Sequence, residues 1–196
     1  MTKLIGICGG SGSGKTTLAK QLHELLKGES SLLAMDDYYK PIAVQQKDTN
    51  GFVNFDLPSA LDIPQFIKDL EALKAGSEIR LKKYDFNERN KPQAHQSIVP
   101  KQYLITEGIF LLCEPKVLEL LDFVIYVDAP ESIMLERRLA RDKKERDIQK
   151  ETILYQWNNH FMPAYQAFVL PYKTKANLVV DGQSEELANL IINQMA

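Results

Sequence analysis

The sequence predicts a single α/β domain built on a parallel sheet, and three observations carry that expectation. Short apolar, β-branched runs alternate with amphipathic stretches from one end of the chain to the other, the pattern of strand, helix, strand units. One junction holds Gly9-Gly10-Ser11-Gly12-Ser13-Gly14-Lys15-Thr16, which meets G-x-x-x-x-G-K-[ST] at every fixed position. The 196 residues, 44% apolar and 26% charged, suffice for one sizeable core, and no repeat, low-complexity tract or linker divides them.

Leu4-Ile5-Gly6-Ile7-Cys8 is long enough for a buried parallel strand and too short for a helix. From Thr17 to Leu26 the apolar residues Leu18, Leu22, Leu25 and Leu26 recur at helical spacing. The glycine-rich motif therefore lies between a strand and a helix, the context that separates it from a chance Gly/Ser turn. Its glycines let backbone amides converge on an anion, and the helix adds unsatisfied N–H groups and the positive end of its dipole. A triphosphate fits such a nest. The nucleotide-binding set expected here is Gly9, Gly10, Ser11, Gly12, Ser13, Gly14, Lys15, Thr16 and Thr17, with Lys15 on the β- and γ-phosphates and the Thr16 hydroxyl on Mg²⁺.

Ser31 to Met35 reads as a second buried strand and runs straight into Asp36-Asp37-Tyr38-Tyr39-Lys40-Pro41. Ligands of open parallel sheets sit beyond the carboxyl ends of strands, so these acids are expected at the same crevice as the phosphate loop. Lys40 to Phe55 is polar, with Pro41, Asn50 and Gly51, and suits a loop over a substrate. Asp62 should cap a helix from Ile63 to Ala75, with Pro64 in its first turn and Gly76 ending it. Glu78 to Asp85 and Ser97 to Val99 are extended candidates for a small excursion over residues 78–100. Tyr103 to Thr106, followed by Glu107-Gly108, and Phe123 to Val127, followed by Asp128, are better strands, with a short helix from Pro115 to Leu121 between them. Pro130 opens a charged helix, a further helix runs from about Lys150 to Phe168 with a bend or break at Pro163, and a strand at Leu178 to Val180 precedes a closing helix from Glu185 to Met195.

Net charge is −2 with acids and bases well mixed, which argues against a general nucleic-acid or membrane surface while leaving small anions open. Cys8 and Cys113 lie beside apolar strand-like residues, so a disulfide framework is not expected and a reducing compartment is. The first strand begins within a few residues of Met1, leaving no room for a signal peptide, and no apolar run reaches membrane-spanning length. A cytoplasmic protein is the expectation, with self-association left open.

Asp36, at the end of strand two, is the candidate base for a substrate hydroxyl, and Asp37 doubles the carboxylate density there for base chemistry or metal organisation. A plain polar turn explains the same Asp-Asp-Tyr-Tyr string. Glu107 ends another strand on the same edge, where it could orient metal-bound water or serve no role. The run Arg137, Arg138, Arg141, Lys143, Lys144 and Arg146 reads as a solvated helix face, as a nucleic-acid patch disfavoured by the net charge, or as a lid over about residues 137–150 whose arginines close on a transferring phosphoryl group. His23, His95 and His160 lack metal-ligand spacing, and Trp157 with Tyr155, Phe161 and Tyr165 suggests core packing.

Together with the phosphate loop, Asp36-Asp37-Tyr38-Tyr39-Lys40, Asn54-Phe55-Asp56, Pro58-Ser59-Ala60, Asp62, Tyr84-Asp85-Phe86, Glu107-Gly108-Ile109, Phe123 to Asp128, Arg137-Arg138, Arg141-Asp142 and Glu145-Arg146 resemble uridine kinases in order and spacing, over nearly the whole chain. The resemblance is to the phosphoribulokinase and uridine kinase group. It implies a P-loop kinase fold, a three-layer α/β/α sandwich with a mainly parallel sheet and a helical lid, and transfer of the γ-phosphate of ATP to the 5′-hydroxyl of a nucleoside with Mg²⁺. It implies Asp36 as catalytic base, also near the metal with Thr16 and Glu107, and Lys15, Arg138 and Arg141 as catalytic. It further implies a substrate side of Asp36, Tyr39, Phe55, Asp56, Tyr84, Arg138, Arg146 and Gln156, with Asp56 on ribose hydroxyls. Two departures concern the base: Arg89 stands where the group usually has His, and Glu145-Arg146-Asp147-Ile148 stands where it usually reads Glu-Arg-Gly-Arg. Arg89 then becomes the candidate reader of carbonyl oxygens on the base. Asp36 to Pro41, Asn50-Gly51-Phe52, Phe55-Asp56 and Asp181-Gly182 with Glu185-Glu186 are similar to nicotinamide riboside kinases, the alternative substrate class. A GTPase-like switch would need Asn-Lys-x-Asp, and Asn90-Lys91-Pro92-Gln93 lacks the Asp. A nucleotide-binding module without turnover is the remaining alternative.

Overall fold

Alternation along one strand builds both halves of the core. In β1 (Lys3–Gly9), Leu4 and Cys8 enter one buried cluster and Ile5 and Ile7 the other. That strand lies in the middle of a five-stranded sheet with β2 (Ser30–Ala34), β5 (Tyr103–Glu107), β6 (Phe123–Asp128) and β7 (Leu178–Asp181), in the order β2, β5, β1, β6, β7. Every neighbouring pair is parallel, as expected for strands apolar on both faces. The computed structural model describes residues 1–84, 86, 95–183, 188 and 191.

On one face α1 (Lys15–Leu25) buries Leu18, Ala19 and Leu22 against Ile5, Ile7, Ile105, Ile125 and Val127, and Ala188 and Ile191 join them. On the other, Phe66, Leu70 and Leu73 of α2 (Ile63–Lys74) pack with Leu4, Leu33, Leu104 and Tyr126, and with Trp157 and Phe161 from later in the chain. Each such Leu or Phe contributes about 1.5–3 kcal/mol by leaving water, so two helical layers on one sheet hold the framework with ease.

Local signals set the helix ends. The Asp62 side chain accepts the Gln65 N–H at 3.2 Å, Pro64 lies in the first turn, and Gly76 follows at φ +90°. Glu114 accepts the Lys116 N–H ahead of α3 (Pro115–Leu120). The charged helix α4 spans Glu131–Arg146 and closes on Asp147 at φ 50°. The expected bend at Pro163 takes an unusual form: α5 (Lys150–Gln156) widens into a π-helical turn at Trp157–Phe161, where the Met162 N–H reaches the Trp157 carbonyl, before α6 (Met162–Phe168) resumes. Proline lacks an N–H, and the wider turn brings it into the first turn of α6, where none is required.

The excursion is a two-stranded antiparallel sheet of β3 (Ile79–Lys82) and β4 (His95–Ile98), pairing Ile79 with Ile98 and Lys82 with His95. β4 begins two residues earlier than the expected start at Ser97, because His95-Gln96 is extended through pairing rather than propensity. Arg89, the string from Asn90 to Gln93 and most of the expected helix from Glu185 to Met195 lie outside the described residues; Ala188 and Ile191 are helical and buried. Among the described residues no helix is long and apolar enough to cross a membrane.

Candidate active site

Beyond the carboxyl ends of β1, β2 and β5 lies a cavity of about 840 Å³, lined by residues from the phosphate loop, the segment after β2, Glu107, α4 and α5. Gly12 has φ +80°, and a Cβ there would lie 2.4 Å from the Met134 carbonyl oxygen, so the loop's path requires glycine. No side chain caps the start of α1, which leaves its first amides to a ligand. Lys15 Nζ donates to the Gly10 carbonyl at 2.9 Å. Arg137 Nη1 donates to the carbonyls of Ser13 (3.3 Å) and Gly182 (3.1 Å), tying the back of the loop to the turn after β7. Ser13 Oγ is buried with no hydrogen-bond partner among the described residues.

Two carboxylates face this loop. Thr16 Oγ donates to Glu107 Oε1 at 2.8 Å, and Asp36 lines the same wall. Burial pushes the Asp36 carboxyl above its ordinary range, and Asp56 adds to this, while Lys15, Arg146 and Arg141 work against it. Burial likewise raises Glu107, helped by Asp36 and opposed by Lys15 and the Thr16 hydrogen bond. An oxygen-only set of one hydroxyl and two carboxylates suits a hard divalent cation that keeps several waters and takes its remaining ligands from phosphates. Asp37 points elsewhere: its Oδ1 accepts the Tyr84 N–H at 3.0 Å and its Oδ2 the Gln96 amide at 3.2 Å, so it anchors the excursion to the site.

The arginines of α4 are organised by Asp142, to which the motif alone gives no role. Asp142, whose side chain is 1% exposed, lies 2.8 Å from Arg141 Nε, 3.3 Å from Arg146 Nη1 and 3.4 Å from Arg138 Nε. Arg138 also forks onto Asp56 at 3.2 and 3.4 Å and lies over the Phe161 ring. Burial disfavours the Arg138 charge, but Asp56 and Asp142 outweigh it and raise its pKa. Arg137 serves the phosphate loop, and Lys143 and Lys144 are exposed, so the basic run divides among three environments.

At the other end of the cavity Tyr39, Phe55, Tyr84 and Phe86 form an aromatic group, with Tyr39 centroids 5.4 Å from both Tyr84 and Phe86 and 5.7 Å from Phe55. Arg146 stacks on Phe86 with its guanidinium carbon 3.9 Å from the ring centroid. Burial, together with the Asp36 and Asp56 carboxylates, holds Tyr39 well above its ordinary pKa, so its hydroxyl stays a neutral donor.

With a phosphate loop, a Thr-Glu pair, an aromatic pocket and an arginine-lined helix around one cavity, the family match has a physical setting. The family model described as Phosphoribulokinase / Uridine kinase family matches residues 4–188. The chain belongs to the phosphoribulokinase and uridine kinase family. It is 37% identical over 180 residues to the uridine kinase of Borrelia duttonii, covering 92% of this chain and 86% of that one. It is 35% identical over 189 residues to the uridine kinase of Staphylococcus haemolyticus, covering 95% and 91%. The solved structure of a possible uridine kinase from Bacillus stearothermophilus superimposes with a TM-score of 0.69 at 21% identity over 92% of this chain and 89% of that one, a likeness of fold.

Against this family background, the cavity gathers Ser11, Lys15, Thr16, Asp36, Tyr39, Phe55, Asp56, Glu107, Arg138, Arg141, Arg146 and Gln156 from the residues singled out in the sequence. Tyr84 stands behind Tyr39 and Phe86, and Thr17 is exposed on α1. Arg89 lies outside the described residues. Ile42, Val53 and Thr152 in the lining carried no sequence signal, and Phe52, Ile148 and Asp142 stood in quoted motifs without a site role. Asp142 alone left a usable signal, since it stands four residues from both Arg138 and Arg146. One placement needs correction. Tyr155 is not core: its hydroxyl donates to Asp48 at 2.7 Å. His160 is buried and lies 2.7 Å from the same carboxylate, at the cavity wall.

Proposed function

We propose that the chain is an ATP-dependent ribonucleoside kinase that phosphorylates the 5′-hydroxyl, with uridine as its first substrate. The observation that carries this is the opposition, across one cavity, of Lys15, Thr16 and Glu107 at the phosphate end to Asp56 and the aromatic group at the other, with Asp36 between charges of both kinds. The family and its uridine kinase relatives support the same assignment.

In this mechanism the loop amides and Lys15 hold the β- and γ-phosphates of ATP, and Asp56 accepts hydrogen bonds from the ribose hydroxyls. Thr16, with Glu107 and Asp36 around it, would hold Mg²⁺, which when bound neutralises charge on the phosphate oxygens. The acceptor 5′-oxygen forms a bond to the γ-phosphorus as the bond to the β,γ-bridging oxygen breaks, ADP leaves, and the hydroxyl proton passes to Asp36. Arg141 and Arg146 face the cavity and offset developing charge, whereas Arg138 holds Asp56 in place. The free thiols of Cys8 and Cys113 support a reducing, cytoplasmic setting.

The test is steady-state ADP release with uridine, cytidine, 2′-deoxyuridine and nicotinamide riboside at fixed Mg-ATP. Uridine should exceed 2′-deoxyuridine in kcat/KM by about tenfold or more, because a missing hydroxyl leaves unfilled an acceptor position on Asp56 that Arg138 does not occupy. A kcat/KM for nicotinamide riboside about tenfold above that for uridine would overturn the assignment of the base.

A further inference from the structure

A second polar cluster lies away from the reacting centre and closes one wall of the cavity. Asp48 sits at the start of a tight turn bracketed by the bridge between Lys47 and Val53. Its Oδ1 accepts the N–H groups of Asn50 and Phe52 at 2.8 and 2.9 Å, ordinary bonds for a turn. Its Oδ2 reaches out of the loop instead. It accepts the Tyr155 hydroxyl at 2.7 Å and lies 2.7 Å from Nε2 of His160, more than a hundred residues along the chain. Asn50 Nδ2 adds a bond to the Tyr155 oxygen at 2.6 Å, and Phe52 packs on the Tyr155 ring with centroids 4.7 Å apart. Burial opposes the Asp48 charge, but the Tyr155, His160, Phe52 and Asn50 contacts prevail and hold its pKa at about 2.

The π-helical turn gives this cluster its reach. His160 meets Asp48 while the next residue, Phe161, lies 5.4 Å from the Arg138 guanidinium, which in turn holds Asp56. Gln156, at the end of α5, lines the cavity together with Gly51, Phe52 and Val53 from the loop. One widened turn thus meets the substrate loop at its tip through Asp48 and at its far end through Arg138 and Asp56. π-Bulges concentrate at functional sites because they re-aim side chains that a regular helix would turn away.

We propose that Asp48, Tyr155 and His160 are positioning residues for the acceptor nucleoside, latching the 47–53 turn onto the π-helical segment so that the loop wall and Asp56 are set before substrate arrives. This role rests on the nucleoside kinase assignment above. Among the described residues Asp48, Tyr155 and His160 make no hydrogen bond with Lys15, Thr16, Asp36 or Glu107, so the latch acts on acceptor binding and leaves the phosphoryl-transfer groups alone. Its signature is therefore a KM effect on one substrate only.

The experiment compares wild type, Asp48→Ala and Tyr155→Phe in steady-state kinetics with uridine and ATP varied separately, and measures trypsin cleavage after Lys47, an exposed residue of the same loop. Asp48→Ala should raise the uridine KM about tenfold or more, keep the ATP KM within about twofold and kcat within about threefold, and speed cleavage at Lys47. Tyr155→Phe, which keeps the ring on Phe52 and loses the hydroxyl's bonds to Asp48 and Asn50 while leaving His160 on Asp48, should move the same quantities in the same direction by about threefold, and it decides the matter if Asp48→Ala does not fold. Faster cleavage with an unchanged uridine KM would overturn the role, as would a parallel loss in both KM values and kcat, the mark of general destabilisation. A wild type inactive on every nucleoside would overturn the kinase assignment and this role with it, whereas an active wild type with an indifferent latch overturns the latch alone.

Discussion

Asp142→Asn tests how the basic helix is organised. The Asp142 side chain is 1% exposed and faces three guanidinium groups at 2.8, 3.3 and 3.4 Å. Removing one member of a buried ion pair costs about 3–5 kcal/mol, because the remaining charge is stranded. That figure is too large here for two of the partners. Arg141 and Arg146 side chains are 34% and 20% exposed and recover part of the loss in water, and Arg138, at 7%, keeps Asp56. An amide also retains an acceptor, so the expected loss is about 2–4 kcal/mol. In a domain of this size that lowers Tm by about 4–16 °C. Urea unfolding supplies the free energy and a thermal melt the temperature, both without nucleotide. Activity should fall as well, by about tenfold in kcat, since Arg141 and Arg146 lose the anchor that keeps them at the cavity. A Tm within about 2 °C of wild type with unchanged kcat would refute the reasoning, because the carboxylate would then be a spectator of three well-screened arginines.

Lys15→Ala should cut kcat by about a hundredfold or more with little change in Tm, because Lys15 contributes charge and one bond to Gly10 rather than packing; retained turnover in a folded variant would remove this loop as the ATP site. Asp36→Asn should lower kcat by about 10²–10⁴ with ATP affinity preserved, while Asp37→Asn, which loosens the Tyr84 and Gln96 anchor, should act mainly on the nucleoside KM. If Asp37→Asn proved the more damaging to kcat, the base assignment would be wrong. Glu107 has its folded pKa raised by burial above the ordinary 4.5, so its protonated form contributes stability that is present below pH 4.5 and lost as pH rises through the folded value. Without nucleotide and metal, Glu107→Gln should therefore melt higher than wild type at pH 7, and the gap should close below pH 4.5; a gap that widened on acidification would contradict the sign.

What was legible in the sequence was what one segment encodes by itself. The alternation of Leu4, Ile5, Ile7 and Cys8, the Asp62 cap and the prolines opening α2 and α3 act within a turn or two, and they emerged within a residue or two of their expected places. The path of the glycine-rich loop was legible for the same reason, since it depends on local glycines such as Gly12. His95-Gln96 gave no strand signal because pairing with β3 makes it a strand. Trp157, Phe161 and Tyr165 were recognisable as core, but Tyr155 carries the same aromatic signal and faces Asp48 instead.

The acceptor end was harder to read because its contacts join distant segments through common residue types. Asp48 and His160 meet across 112 positions, and neither has a spacing that marks it. The departure at Asp147-Ile148 shows how structure can explain such a difference. Asp147 ends α4 at φ 50°, a left-handed conformation that glycine adopts freely and Asp adopts better than most side chains, so Asp can stand where the family usually has glycine and still turn the chain. With the turn kept, the Ile148 N–H bonds to the Asp142 carbonyl at 3.2 Å, and Ile148 lines the cavity. An apolar side chain then forms wall where an arginine would have supplied donors. The backbone at that corner therefore matches what glycine would allow while the side chain lining the cavity differs, so on the proposed nucleoside kinase reading Ile148 is a place where substrate preference changes without disturbing the arginines, Asp36 or the phosphate loop.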